Sequence, residues 1–412
     1  MALSTIFFLP AIAMAAPGAV VTNGNNDGPG SLRAALASGA SNIVIKGSVS
    51  KIKVESTLTY TGTAGLKITG SGQTLDASGL DDDILAVTDG ADLAVTNLSF
   101  VGPNNYKGYF SGDKYDGGKG IFVGVPQTRE GIVSVKLTNV SVSGTGNHGI
   151  HVSDCSLGDD CGGGSGGGGF GSPASIDVRL VDVTVDGVGF GRQDADGVRV
   201  DERADGDILF SATNSTFINV GADGVELDEG NDGDVILNVS NSAFNYNGEY
   251  CAFDTDIENG DQKCNDDGDP DLDDGFDVDE AGPGSITGKV NNLTVNSNYD
   301  EGLDFDEEDA GGYDLEIVAV YAIDNGNEGI KLSEEDEGSI AASLKSVDLQ
   351  GNNGKKEEVQ VDEADEGTVA VTVTGSYIEE LKVEEDGTEP GTLKIRGSSI
   401  LEPLDLDNIN EI

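Results

Sequence analysis

Carboxylates recur in this chain at a fixed spacing, and that recurrence is its first chemical signal. Asp196-Gly-Val-Arg-Val-Asp-Glu202 returns as Asp223-Gly-Val-Glu-Leu-Asp-Glu229, Asp274-Gly-Phe-Asp-Val-Asp-Glu280 and Glu301-Gly-Leu-Asp-Phe-Asp-Glu307, with a worn copy at Glu328-Gly-Ile-Lys-Leu-Ser-Glu334. Gly197 to Gly224, Gly275 to Gly302 and Gly302 to Gly329 are each 27 residues, and the 51 from Gly224 to Gly275 are a similar unit plus an insertion. Asp201, Asp228, Asp279, Asp306 and Asp362 share one position of the unit. Glu202, Glu229, Glu280, Glu307, Glu334 and Glu363 share the next, and both positions read as outward. In stacked units, neighbours in a column lie about 4.8 Å apart, so each like-charge pair costs on the order of 1 kcal/mol even in water.

Calcium answers that repulsion, because carboxylates and turn carbonyls on adjacent rungs supply the hard oxygens that Ca2+ takes. The candidate ligands are Asp201, Glu202, Asp228, Glu229, Asp279, Glu280, Asp306 and Glu307, joined by Asp254, Asp256, Asp269, Asp271 and Asp273 of the insertion. The spacing Asp269-x-Asp271-x-Asp273 is that of a calcium loop, but Asp274 stands at the sixth position and glycine follows one later, so the loop is non-standard. The competing reading is a solvated acidic face for a salty setting, where screening removes most of the cost. Alignment in columns favours calcium, since salt adaptation alone scatters acids. In the insertion, a disordered acidic loop is the competing reading.

Catalytic candidates are fewer. His151 falls in the column of Arg199, Glu226, Asp277, Asp304 and Lys331, and His148 in that of Asp196, Asp223 and Asp274. A histidine beside an arginine and carboxylates suits general acid/base work, which makes His148, His151, Arg199 and Asp228 the candidates, against the plain reading of surface histidines in a mixed-charge column. The Gly162 to Gly169 run lacks a following Lys-Ser/Thr, so it does not make a nucleotide site.

Short strands must position these residues. A period of this length implies stacked supersecondary units, none able to bury its apolar face alone. Gly at 61 of 412 residues, no Trp, and many Val, Asn and Asp describe brief strands joined by tight turns. A second phrase marks one bend: Asn97-Leu-Ser-Phe100, Asn139-Val-Ser-Val142, Asp182-Val-Thr-Val185, Asn214-Ser-Thr-Phe217, Asn241-Ser-Ala-Phe244 and Asn292-Leu-Thr-Val295, with later copies that lose the Asn, making ten coils between 97 and 400. An inward Asn there would bond the coils above and below. Ser31 caps a short helix over Leu32–Ala37 that plugs the first coil.

The chain resembles the secreted right-handed parallel β-helix proteins of the pectate-lyase-like superfamily. Gly28-Pro-Gly-Ser-Leu-Arg-Ala-Ala-Leu36, Ile43-Val-Ile45, Leu66-Lys-Ile-Thr-Gly70 and Gly72-Gln-Thr-Leu-Asp76 are similar to their capped first coils. The resemblance implies an all-β fold, a single right-handed parallel β-helix of roughly 11–13 three-strand coils. It does not choose an activity, since this fold hosts lyases, hydrolases, adhesins and stalks. Polygalacturonase-type hydrolases order Asn-x-Asp, an Asp pair, Gly-His-Gly and Arg-x-Lys along successive coils. Here Asn147-His148-Gly149 precedes the acidic coils and no Arg-x-Lys follows.

Residues 1–15, an apolar run ending in Ala13-Met-Ala15, read as a secretory signal peptide, leaving residues 16–412 as one β-helix domain. Insertions near 102–119, 155–174 and 248–273 flank the sheet of the repeated phrase, where this fold most often builds a site. Cys155 with Cys161 and Cys251 with Cys264 are expected disulfides, given export. The net charge is −52, and 58 of the 75 acids follow residue 190. That field excludes nucleic acid and anionic lipid as partners and invites a cation. The expectation is an exported Ca2+-binding module, extracellular, at the cell surface or periplasmic, that binds polysaccharide or surface components or serves structurally. The alternative is a polysaccharide-active enzyme, a calcium-dependent lyase or glycoside hydrolase, using His151, Arg199, Glu226 and Asp228.

Overall fold

The computed structural model describes residues 18–104, 117–155, 171–192, 194–248, 273–352, 358–365 and 367–412. Every strand pairing among them is parallel, and partners in consecutive coils stand at the repeat interval, as in Val198↔Val225 and Phe276↔Leu303. The chain is a parallel β-helix. Twelve short strands, among them Ile150–Ser153, Val198–Glu202, Val225–Glu229, Phe276–Ala281, Leu303–Asp309 and Ile330–Asp336, form one sheet that carries the repeated acidic phrase. The remaining strands wrap the other faces of each coil. Residues 1–17 and most of the three insertions lie outside the described residues, as do Cys161, Cys251 and Cys264 of the expected disulfides.

Sequence dictates the coil through alternation and one bend. In Val235–Asn245, Val235, Leu237, Val239 and Phe244 are buried, and the buried parity shifts across Asn241. Asn241 sits at φ 53°, in the left-handed region, as do Asn97, Asn139, Asp182, Asn214 and Asn292 at the same place. Asn and Asp tolerate that conformation better than other side chains, which is why the phrase begins with them. These asparagines point outward rather than inward. Asn139 Nδ2 donates to Asn97 Oδ1 at 2.7 Å and Asn292 Nδ2 to Asn241 Oδ1 at 2.9 Å, both pairs exposed. The inward ladder belongs to a different set: Asn247 Nδ2 donates to Asn298 Oδ1 at 3.1 Å, Asn298 to Asn325 at 3.0 Å and Asn325 to Asn352 at 2.8 Å, while each residue's backbone N–H donates to the same neighbour. Buried amides that satisfy one another hold the coils in register.

The core is a continuous apolar column with Phe217, Phe244, Phe276 and Phe305 at successive levels, ring centroids 5.0 to 5.3 Å apart. The N-terminal end is capped as expected. Ser31 Oγ accepts from Ala34 N at 3.1 Å, and helix Leu32–Ala37 buries Leu32, Ala35 and Leu36.

Candidate functional site

Alternation divides the acidic phrase between two environments. Val225 and Leu227 face the core, so Glu226 and Asp228 face out, and Glu229, one residue further, faces in. The expectation that both acidic columns point outward is therefore corrected: adjacent residues of a strand cannot share a face. The outward columns run His151–Arg199–Glu226–Asp277–Asp304–Lys331 and Ser153–Asp201–Asp228–Asp279–Asp306–Ser333 through consecutive register pairs. The inward column is Glu202–Glu229–Glu280–Glu307–Glu334–Glu363–Glu385.

Outward does not mean exposed here. His148, His151, Arg199, Asp201 and Asp228 are all at or below 2% exposure. Each insertion enters or leaves the coil at an end of this sheet, with Gly117, Cys155 and Asp273 as the described residues at its edges.

At the histidine end, opposite charges meet. Arg199 Nε donates to Asp201 Oδ1 at 2.6 Å, Nη2 to Asp228 Oδ2 at 2.7 Å and Nη1 to Glu226 Oε2. Asp228 also accepts from Arg203 Nη2. Burial opposes the charge on Arg199, but Glu226, Asp201 and Asp228 hold it firmly protonated. Burial likewise opposes ionisation of Asp201, yet Arg199 and then His151 keep it well below the usual carboxylate range. His151 Nε2 lies 2.6 Å from Asp201 Oδ2, and its ring packs 4.6 Å from that of His148 and 5.5 Å from Phe122. Burial outweighs Asp201 and pushes His151 down to about 3. His148 Nδ1 accepts from Asp196 N at 2.8 Å, which places its proton on Nε2, and burial, then Lys119, push it far down as well. Both histidines are neutral at pH 7.

The column before the strand repeats that contact with carboxylates. Asp196 Oδ1 accepts from Asp223 N at 3.2 Å, Asp223 Oδ1 from Asp274 N, and Asp274 Oδ1 from Glu301 N at 2.7 Å. One oxygen of each thereby orients the next coil.

From Asp274 onward the arginines of this sheet stop and its cations become sparse. Asp274, Glu301 and Asp304 bring one oxygen each within 4.8 Å of one another, as do Glu226, Asp277 and Asp279, and Asp194, Asp196 and Glu226. Among the described residues of this sheet between 274 and 336, Lys331 is the one cation, 2.8 Å from Asp304 Oδ2 and 3.3 Å from Asp306 Oδ2. Burial, then the neighbouring carboxylates, drive Asp274, Asp277, Asp279 and Asp304 well above the ordinary range. Groups so placed either hold protons or hold a cation.

The expected ligands therefore separate. Asp201 and Asp228 are tied to Arg199, Asp279 joins a tricarboxylate group, and Asp306 contacts Lys331. Glu202, Glu229, Glu280 and Glu307 line the interior, while Asp254, Asp256, Asp269 and Asp271 lie outside the described residues. Sequence reasoning missed Arg203, Lys119 and Asp154. Arg203 Nη2 reaches Asp228, Lys119 stands 5.6 Å from the centre of the Phe122 ring, and Asp154 accepts from Ser172 N at 2.5 Å and Arg203 N at 3.0 Å. A signal existed for Arg203, since it follows the acidic phrase of the coil that also holds Arg199.

Neither a protein-family profile nor a curated protein matches the chain. Solved structures similar to it include a mutant of the periplasmic alginate epimerase AlgG, at TM-score 0.38 and 10% identity, with 90% of this chain and 75% of that one covered. Another is the Agl-KA catalytic domain, at TM-score 0.37 and 12% identity, with 92% of this chain covered. The chain spans 64% of the length of that second structure. No helix of the described residues is long and apolar enough to cross a membrane.

Proposed function

We propose that this protein is an exported calcium-binding β-helix whose acidic sheet is the metal-bearing surface of an extracellular or cell-surface binding or structural module. The observation that carries the proposal is the Asp274–Glu301–Asp304 group, three largely buried carboxylates from two successive coils with oxygens within 4.8 Å of one another. Hard oxygens so gathered match the coordination of Ca2+, and a divalent ion there would offset the mutual repulsion that Lys331 meets only in part. Calorimetric titration of chelator-treated protein with Ca2+ tests this. The wild type binds, Asp274→Asn with Asp304→Asn loses at least one site, and an absence of heat in the wild type would refute the reading.

A second reading is an enzyme acting on polysaccharide, and the cluster at the histidine end favours it. His148, His151, Asp196, Arg199, Glu226 and Asp228 gather acids, neutral imidazoles and a fixed cation on the sheet that all three insertions border. In that reading Arg199 holds the carboxylates in place, since Asp201, Glu226 and Asp228 engage its guanidinium. Incubation with uronate and neutral polysaccharides, reading unsaturated products and reducing ends, decides it. Turnover lost in Asp228→Asn would establish the enzyme.

A further inference from the structure

The interior glutamates carry a second inference, independent of the outward face. Glu202, Glu229, Glu280, Glu307, Glu334, Glu363 and Glu385 stack in consecutive register pairs, each at 0–1% exposure. At the ends of the file, backbone donors reach the carboxylates, one oxygen each of Glu202 and Glu229 and both of Glu385. Glu202 Oε2 accepts from Ala204 N at 3.1 Å, Glu229 Oε2 from Asn231 N at 3.3 Å, and Glu385 from Val369 N at 2.7 Å and Gly387 N at 3.1 Å. In the middle nothing does so: Glu280, Glu307, Glu334 and Glu363 meet only the carboxyls of the glutamates above and below, with no donor from outside the file, and no Lys or Arg of the described residues forms an ion pair with them. Carboxyl faces carboxyl along four consecutive coils.

The turn beside the file is shaped around these oxygens. A glycine follows each glutamate from Glu202 to Glu363 by four residues, at Gly206, Gly233, Gly284, Gly311, Gly338 and Gly367. A Cβ built on Gly233, Gly284, Gly311 or Gly367 would come within 2.5 to 2.6 Å of the Oε1 of its own glutamate. It would also collide with the carbonyl oxygen of the glycine one coil before, Gly206, Gly233, Gly284 and Gly338 respectively. Each of these four levels thus brings a glutamate oxygen and a glycine carbonyl of the adjacent coil to one place, and only a residue without a side chain permits it. Carboxylate oxygens from two coils plus backbone carbonyls are the donor set of a hard divalent cation.

We propose that the interior file from Glu280 to Glu363 binds divalent cations of calcium's class, seated between successive coils by glutamate carboxylates and turn carbonyls. The sites are distinct from the outward tricarboxylate groups, which stand on the opposite face of the same strands. An ion there turns a line of facing carboxyls into a crosslink between coils, and the glycine-bearing turn becomes part of the site.

Metal analysis of the full chain after equilibration with Ca2+ and removal of free ion tests the proposal. Bound calcium per chain falls in Glu307→Gln, an isosteric change whose folding circular dichroism checks, and falls by a separate amount in Asp274→Asn with Asp304→Asn. Unchanged calcium in folded Glu307→Gln overturns the interior sites and leaves the outward reading standing. Loss only in Glu307→Gln does the reverse. Infrared spectroscopy gives a second readout. The part of the protonated carboxylic-acid band that Glu307→Gln diminishes disappears from the wild type as calcium is added if ions fill the file, and its persistence in calcium-saturated protein overturns the proposal in favour of a ladder of shared protons.

Discussion

The coils from His148 to Arg203 and those from Asp274 to Asp336 place different residues at equivalent positions of one sheet. In the first, Arg199 and Arg203 stand among Asp201, Glu226 and Asp228, and the buried charge largely neutralises itself. In the second, Arg199's column holds Asp277 and then Asp304, with Lys331 arriving only at the third coil and partly exposed. The backbone and the core are alike in both. Charge compensation is therefore a property of each coil's sequence, supplied by the chain in one region and demanded from outside in the other.

The largest effect comes from breaking the self-neutralised end. Arg199→Met strands buried carboxylates and costs about 3–5 kcal/mol, the usual penalty for removing one partner of a buried ion pair, read as a lower urea midpoint. A comparable loss at the acidic end comes from removing metal. Chelation lowers the thermal midpoint by about 5–10 °C, as expected for ions held near 100-fold above their dissociation constant in a chain of this size. The histidine-end variant keeps its calcium response, whereas Asp274→Asn with Asp304→Asn loses part of it.

Protons sharpen the comparison, because the two regions respond to pH with opposite sign in chelated protein. Burial, then Asp300, push Glu301 up to about 7, so the folded state holds a proton that the unfolded chain releases near 4.5. Its contribution is complete below 4.5 and is lost as pH rises through 7. His151, pushed down to about 3, stays neutral in the fold while the unfolded imidazole protonates near 6.5, so its contribution is complete above 6.5 and is lost as pH falls toward 3. Hydrogen exchange between pH 5 and 8 should show the Leu303–Asp309 strand more protected at the low end and the Ile150–Ser153 strand more protected at the high end. The smallest effect belongs to Lys331→Met. The cation is a quarter exposed, and its loss costs about 1 kcal/mol or less in calcium, but more in chelator, where nothing else opposes Asp304 and Asp306.

Much of this was legible in the sequence. The 27-residue interval and the shift of apolar parity specified stacked parallel coils, and Ser31 with Leu32, Ala35 and Leu36 specified the cap. The candidate site was half legible. His151, Arg199 and Glu226 fall at one register position and Asp228 at the next outward one, which the repeat makes visible, yet their burial was not foreseen, since a repeat reports which residues align and not what covers them. Glu229 was misassigned because two adjacent acids were read as one edge, although Val225, Leu227 and Glu229 have the same parity. The bend asparagines were read as inward because an amide ladder suits a buried turn. The left-handed backbone at Asn97, Asn139 and Asn241 turns them outward, and the buried ladder falls to Asn247, Asn298, Asn325 and Asn352.

The interval between Asn247 and Asn298 is 51 residues where its successors are 27, yet the same amide contact closes across it. Glu226 meets Asp277 and Glu229 meets Glu280 over that interval as well. The register thus closes across an interval two dozen residues longer without any level being displaced. Length along the axis is counted in whole coils, about 4.8 Å at a time, and not in residues of sequence. Excising residues 275–301 would return a shorter rod with every remaining rung in register and one tier fewer of charge, so the molecule behaves as a graduated scale whose divisions can be removed singly.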